Sequence, residues 1–99
     1  MLEHLTFDQM NQYVGSTFRA EAAGRTIDLK LISAAKVMES EAARLRRTPF
    51  SLYFSGPGEI VLPQSIYHLR HEAFGEPLGI FLVPIKREGD GFIYEAVFT

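Results

Sequence analysis

The chain has 99 residues, of which 46% are hydrophobic, and its formal net charge at pH 7 is -2. This length suits one domain, residues 1–99, with a single core. The slight acidic excess argues against nucleic-acid binding, which needs basic side chains to neutralise phosphates. Because cysteine is absent, disulfides, thiol catalysis and thiolate metal sites are excluded. We find no secretory leader and no membrane span, and therefore expect a cytoplasmic protein without membrane partners.

The first predicted element is a short helix over residues 6–14. Thr6 is suited to cap it, since its hydroxyl can accept a hydrogen bond from the amide three residues later. Gly15 is a suitable residue to end it. Apolar residues at helical spacing predict that one face packs on a sheet. They are Phe7, Met10 and Val14.

After the helix, alternation of apolar and polar residues predicts β-structure over residues 16–98. Two strands contain Phe18–Ala22 and Ile27–Leu31, and a tight turn joins them. If Ala23 and Gly24 form a two-residue loop, the exposed side chains of Arg19 and Asp28 lie opposite each other. A bulged turn at Gly24 would shift this register.

Residues 36–48 interrupt the alternation. We expect the second strand to extend into this region, followed by a mobile or partly helical excursion that ends at Pro49. Alternation resumes at Phe50, and Gly56-Pro57-Gly58 is predicted to end that strand. Neither this glycine pair nor Gly89-Asp90-Gly91 has the spacing of a phosphate-binding loop.

The remaining sequence predicts a strand around Tyr67 and Leu69, a turn at residues 72–77 and a final hairpin over residues 78–98. Lys86–Gly91 is predicted to connect its arms. Because the connections resemble turns rather than crossover helices, the fold class is mostly β, with about six mainly antiparallel strands in a barrel-like sheet.

The first arm of the hairpin is apolar on both faces. Ile80 and Leu82 alternate with Phe81 and Val83, so both faces need cover. We expect the barrel interior to cover one face and the N-terminal helix to cover the other.

The sequence offers few candidates for chemistry. His68, His71 and Glu72 are the closest to a metal-ligand cluster, but residues three apart on a strand face opposite ways, so surface histidines are the favoured reading. No cofactor is predicted. Glu95 lies among apolar residues and is either a general base with a raised pKa or, the favoured reading, the partner of an arginine.

The candidate residues for docking a protein partner lie in two places. Arg44, Arg46 and Arg47 form the strongest local positive charge, with forked donors that suit acidic groups. Tyr53 is an aromatic residue on the outward face of its strand, a type that interfaces favour.

The sequence resembles a family of small bacterial proteins of about one hundred residues and unknown function. The resemblance rests on LTFDQMNQYVGSTF (Leu5–Phe18), PFSLYFSGP (Pro49–Pro57), LPQSIYHLRHEAFG (Leu62–Gly75), LGIFLVPI (Leu78–Ile85) and GFIYEAVF (Gly91–Phe98). Such proteins can be encoded near phage-tail-collar-like or other tail-related proteins, which implies a structural or assembly role. The resemblance carries no catalytic residues, and Met38–Arg47 lies outside it.

Three functions are compatible with these observations. The first is a non-enzymatic structural or protein-interaction module, acting on a protein partner or by self-association. The second is a barrel that holds a small molecule in an apolar cavity. That cavity would be lined by Phe50, Phe54, Tyr67, Phe81 and Tyr94. The third and weakest is a metal-dependent enzyme that uses His68, His71 and Glu72.

Overall fold

The computed structural model describes residues 5–22, 24–36 and 49–98. Among these described residues, one helix, α1 (Phe7–Asn11), precedes six strands. The strands are β1 (Thr17–Ala22), β2 (Arg25–Lys36), β3 (Phe50–Pro57), β4 (Ser65–Arg70), β5 (Leu78–Glu88) and β6 (Gly91–Phe98). All pairings are antiparallel, and the strands close into a barrel in the order β1-β2-β3-β6-β5-β4. The predicted mostly-β, barrel-like fold with a short N-terminal helix is therefore confirmed.

The helix starts as predicted but ends earlier. Thr6 Oγ1 accepts a hydrogen bond from the Gln9 amide at 3.1 Å, which caps the N-terminus. The α-helix ends at Asn11, and turns lead to Gly15, whose φ is +98°. Val14 lies beyond the helix and is exposed, so it does not continue the buried stripe.

The position of α1 differs from the prediction. Its fully buried Met10 joins the core cluster, and β2 is the strand against which the helix packs. The Phe7 ring packs edge-on against Phe50 at the start of β3. Lys36, at the end of β2, lies over the Phe7 ring. The helix therefore packs at one end of the barrel and does not cover the outer face of β5.

The first hairpin has the predicted register. Ala22 pairs with Arg25, and Arg19 lies opposite Asp28, as a two-residue loop requires. Gly24, in this loop, has a φ of +74°, which glycine adopts without strain. The second strand extends to Lys36, as expected, with a register shift between Leu31 and Ser33. The excursion predicted after it falls on residues 37–48, outside the described residues.

The prediction that Gly56-Pro57-Gly58 ends the third strand was wrong for Gly56 and Pro57, because β3 continues through both. Gly56 is buried in β3 opposite Phe92, and Pro57 pairs with Gly91. A Cβ on Gly56 would lie 2.9 Å from Leu29 Cδ2. Glycine is needed here because β3 passes close to an inward-pointing side chain, not because the chain turns.

The last hairpin is longer and tighter than predicted. Lys86, Arg87 and Glu88 continue β5 and pair with β6, so the turn consists of Gly89 and Asp90 alone. Gly89 adopts a φ of +61°.

Among the described residues, one cluster of apolar side chains occupies the barrel interior. Phe50 and Phe54 are fully buried and Tyr94 is 1% exposed. Tyr67 is half-buried, whereas Phe81 lies on the outer face and is 48% exposed. The five residues proposed to line an internal cavity therefore do not line a common space. In the described part of the chain, no helix combines the length and apolar character needed to cross a membrane.

Candidate functional site

A hydrogen-bonded chain runs through His71, directly after β4. The His71 Nδ1 atom accepts a hydrogen bond from the Ala73 amide at 3.0 Å, so Nε2 carries the ring proton and donates to Ser16 Oγ at 2.9 Å. The Ser16 hydroxyl in turn donates to the Tyr13 carbonyl at 2.6 Å. A catalytic serine needs a histidine that accepts its proton. Here the histidine donates, so this arrangement is not a nucleophile–base pair.

Aromatic rings fix His71 in this position. The centroid of its ring lies 4.5 Å from that of Phe18, 5.1 Å from that of Tyr13 and 5.9 Å from that of Phe74. The Phe74 amide also donates to the His71 carbonyl at 3.0 Å. His71 thus holds the turn after β4 against the residues that follow α1.

The structure does not assemble the proposed metal ligands. His68 lies exposed on the outer face of β4, and Glu72 lies exposed in the following turn. Both ring nitrogens of His71 already have protein partners. Within residues 5–22, 24–36 and 49–98, no group of three histidine or carboxylate side chains is arranged to hold a metal ion.

Glu95 meets a tyrosine rather than the expected arginine. It lies on β6 directly opposite Tyr53 of β3, and the Tyr53 hydroxyl donates to Glu95 Oε2 at 2.8 Å. This hydrogen bond, together with desolvation and the carboxylate charge, raises the pKa of Tyr53. Both side chains are half-buried. Among the described residues, Tyr53 is the hydrogen-bond partner of Glu95.

Beside Glu95, the outer face of the sheet carries a row of apolar side chains. Ile66 of β4 pairs with Phe81 of β5, and Val83 of β5 pairs with Glu95 of β6. Residues two apart share a face, so Val97 lies on the same side and next to Phe81. Their exposed fractions are 62% for Ile66, 48% for Phe81 and 60% for Val97. We call Ile66, Phe81, Val83 and Val97 the outer patch.

The sequence pattern contained evidence for the outer patch, but we did not interpret it as a site. Phe81 and Val83 form the second apolar face of the first hairpin arm, and Ile66 alternates with the inward residues of β4. That second face was assigned to the helix. Since α1 packs on β2 instead, the described residues leave the face exposed.

The other predicted docking residues divide between described and undescribed parts of the chain. Arg44, Arg46 and Arg47 lie outside the described residues. Tyr53 lies on the outward face of β3, as predicted, and its hydroxyl is engaged by Glu95.

Comparisons with known proteins identify a family. Neither curated proteins nor solved structures include a match to this chain. Residues 5–98 match a family model described as a domain of unknown function, DUF6916. The match includes α1 and all six strands. The chain therefore belongs to the DUF6916 family.

Proposed function

We propose that this protein is a non-enzymatic interaction module that binds a partner protein through the outer patch. The observation that supports this proposal is the alignment of Ile66, Phe81 and Val97 on three neighbouring strands, each about half exposed or more. Contiguous apolar surface on a soluble domain commonly marks an interaction site. Removing such surface from water is the main favourable term in protein association.

Glu95 indicates the chemistry of the partner. Its carboxylate borders the apolar side chains, and Tyr53 occupies one of its two oxygens. A partner that covers the outer patch also desolvates this carboxylate, which costs free energy unless a positive charge compensates. A lysine or arginine among apolar residues of the partner supplies that charge.

The same carboxylate argues against a symmetric pair of copies. In a two-fold dimer the same surface faces itself, so two outer patches placed face to face bring two Glu95 carboxylates into one desolvated interface. Like charges in that setting are unfavourable. We therefore favour a different protein over self-association.

The biological setting forms part of the proposal. The resemblance to small bacterial proteins encoded near tail-related genes suggests a structural partner in a phage-tail-like assembly. We place this assembly in the bacterial cytoplasm.

Copurification with matched variants tests the proposal. Tagged wild-type protein, Phe81→Ser and Val61→Ser are used to capture partners from a lysate of the source organism. Val61 is 44% exposed but lies outside the outer patch, so its variant controls for loss of exposed apolar surface. A specific partner binds wild type and Val61→Ser alike, and its affinity for Phe81→Ser falls roughly 10-fold or more, as expected when a buried phenyl contact is lost. If both variants retain the same partners as wild type, the outer patch is not the docking surface.

The role of Glu95 is tested with the purified partner. Glu95→Gln keeps the shape of the side chain and removes its charge, so the complex should weaken and its affinity should depend less on salt. Equal affinity and equal salt dependence would reject a basic partner while leaving the apolar contact standing.

A further inference from the structure

Two arginines face each other across the seam that closes the barrel. Arg19 of β1 pairs directly with Arg70 of β4, and both side chains are exposed. Like charges at directly opposed positions destabilise a sheet. Asp28 lies opposite Arg19 on the other side, yet within the described residues neither arginine forms an ion pair. The seam thus carries two guanidinium groups, with one carboxylate in the same cross-strand row.

Both arginines line a surface pocket of about 380 Å³. Another wall of the pocket is the turn after β4, which includes His71 and Phe74. This wall is held in place by the hydrogen bonds of His71 to Ser16 and Ala73. The Phe74 ring also packs against Tyr13, with centroids 5.3 Å apart. The pocket therefore combines a wall that is held in place by these contacts with a pair of forked donors.

Carboxylates also line this pocket. Glu72 and Glu76 belong to the turn, and in the described chain neither forms an ion pair with Arg19 or Arg70. They leave the guanidinium donors available and make the pocket less favourable for multiply charged anions. With two arginines and two glutamates lining the pocket, a singly charged carboxylate is the most suitable ligand. Its two oxygens also match the planar guanidinium group.

We propose that the Arg19–Arg70 pair is a binding site for the oxyanion of a small molecule, with a carboxylate favoured over a phosphate. The bound oxyanion lies between the two guanidinium groups and accepts hydrogen bonds from both. It replaces their mutual repulsion with two attractive contacts and links β1 to β4. The site is separate from the outer patch, so either proposal can fail without the other.

Thermal unfolding in different anions tests this site. Wild type, Arg19→Gln, Arg70→Gln and Arg25→Gln are unfolded in sodium chloride, acetate and phosphate at equal ionic strength. Arg25 is an exposed arginine paired with Glu59 at 3.7 Å. Arg25→Gln therefore removes the same charge as the seam variants do, but at a position away from the seam. General salt effects on apolar burial act on all four proteins alike, and the readout is the difference between them.

We expect the order of the unfolding temperatures of wild type and Arg70→Gln to reverse between chloride and acetate. In chloride, Arg70→Gln unfolds at or above the wild-type temperature because the opposed charges are gone. In acetate, wild type and Arg25→Gln gain about 6–11 °C when the anion is at ten times its Kd, while both seam variants gain only the general salt effect. A larger gain in phosphate than in acetate would identify phosphate as the ligand group. An equal response of all four proteins to every anion would overturn the proposal.

Discussion

Removal of the Tyr94 hydroxyl should destabilise the protein more than removal of any exposed tyrosine hydroxyl. The Tyr94 hydroxyl accepts a hydrogen bond from the Leu62 amide at 2.9 Å. Both residues are only 1% exposed, so water cannot replace the lost acceptor in Tyr94→Phe. The variant leaves a backbone N–H group without a partner inside the core.

The magnitude follows from the cost of a buried, unsatisfied donor, about 1–3 kcal/mol. For a domain of this size, each kcal/mol lowers Tm by roughly 4–8 °C. A fall in Tm of at least about 4 °C is therefore expected. The same loop offers a matched control, because the Tyr67 hydroxyl donates to the neighbouring Pro63 carbonyl at 2.6 Å in an exposed position. In Tyr67→Phe water can hydrate that carbonyl, so the cost should stay below about 1 kcal/mol.

Urea and thermal unfolding of wild type, Tyr94→Phe and Tyr67→Phe at pH 7 provide the measurement. Unchanged m-values would show that the change lies in stability rather than in the extent of unfolding. If Tyr94→Phe loses no more stability than Tyr67→Phe, burial of the Leu62 amide does not govern the energetics of this loop.

Three other predictions concern the strands and the helix cap. Gly91→Ala should cost about 1–3 kcal/mol, because a Cβ there collides with the Gly56 carbonyl, whereas Gly75→Ala has open space and should be nearly neutral in chemical denaturation. Because the pKa of Tyr53 is raised, the neutral hydroxyl is favoured in the folded state. The stability that Tyr53 contributes through this preference is complete below about pH 10, and it is lost as the pH rises through the raised pKa of Tyr53. Wild type should therefore lose stability relative to Tyr53→Phe above about pH 10, and parallel pH curves would contradict this. Thr6→Ala should cost about 0.5–1 kcal/mol by loss of the cap, while Thr6→Ser should retain most of it; equal melting temperatures would show that the cap is dispensable.

The fold was largely predictable because alternation records which side of a strand faces the core. Phe18 and Ala20, and likewise Leu29 and Leu31, occupy inward positions as their spacing predicts. Two-residue spacing fixes a face without knowledge of the neighbouring strand. The same local information predicted the register of the first hairpin, since a two-residue loop determines it.

Other features depend on neighbours that are distant in sequence. The third strand continues through Gly56 because Gly56 pairs with Phe92 of β6, a distant partner that the local sequence does not show. Similarly, the stripe on α1 predicts burial but does not specify the strand against which it packs.

The candidate sites were the least predictable features. The Tyr53–Glu95 contact depends on the register of β3 and β6, and the Arg19–Arg70 pair depends on closure between β1 and β4. Sequence spacing indicates neither pairing, because the paired residues come from separate supersecondary units.

The closing seam also has a consequence for local unfolding. In the described chain, β1 and β4 pair only at Arg19–Arg70 and Ala20–Leu69, whereas β3 and β6 pair from Phe50–Phe98 to Pro57–Gly91. Opening this short seam leaves the other five strand pairings intact and converts the barrel into a curved sheet with two free edges. Amides on those edges would then exchange with solvent before the rest of the barrel unfolds. The free edges can also pair with strands of another molecule. The stability of the seam therefore governs both local opening of the barrel and strand exchange between molecules.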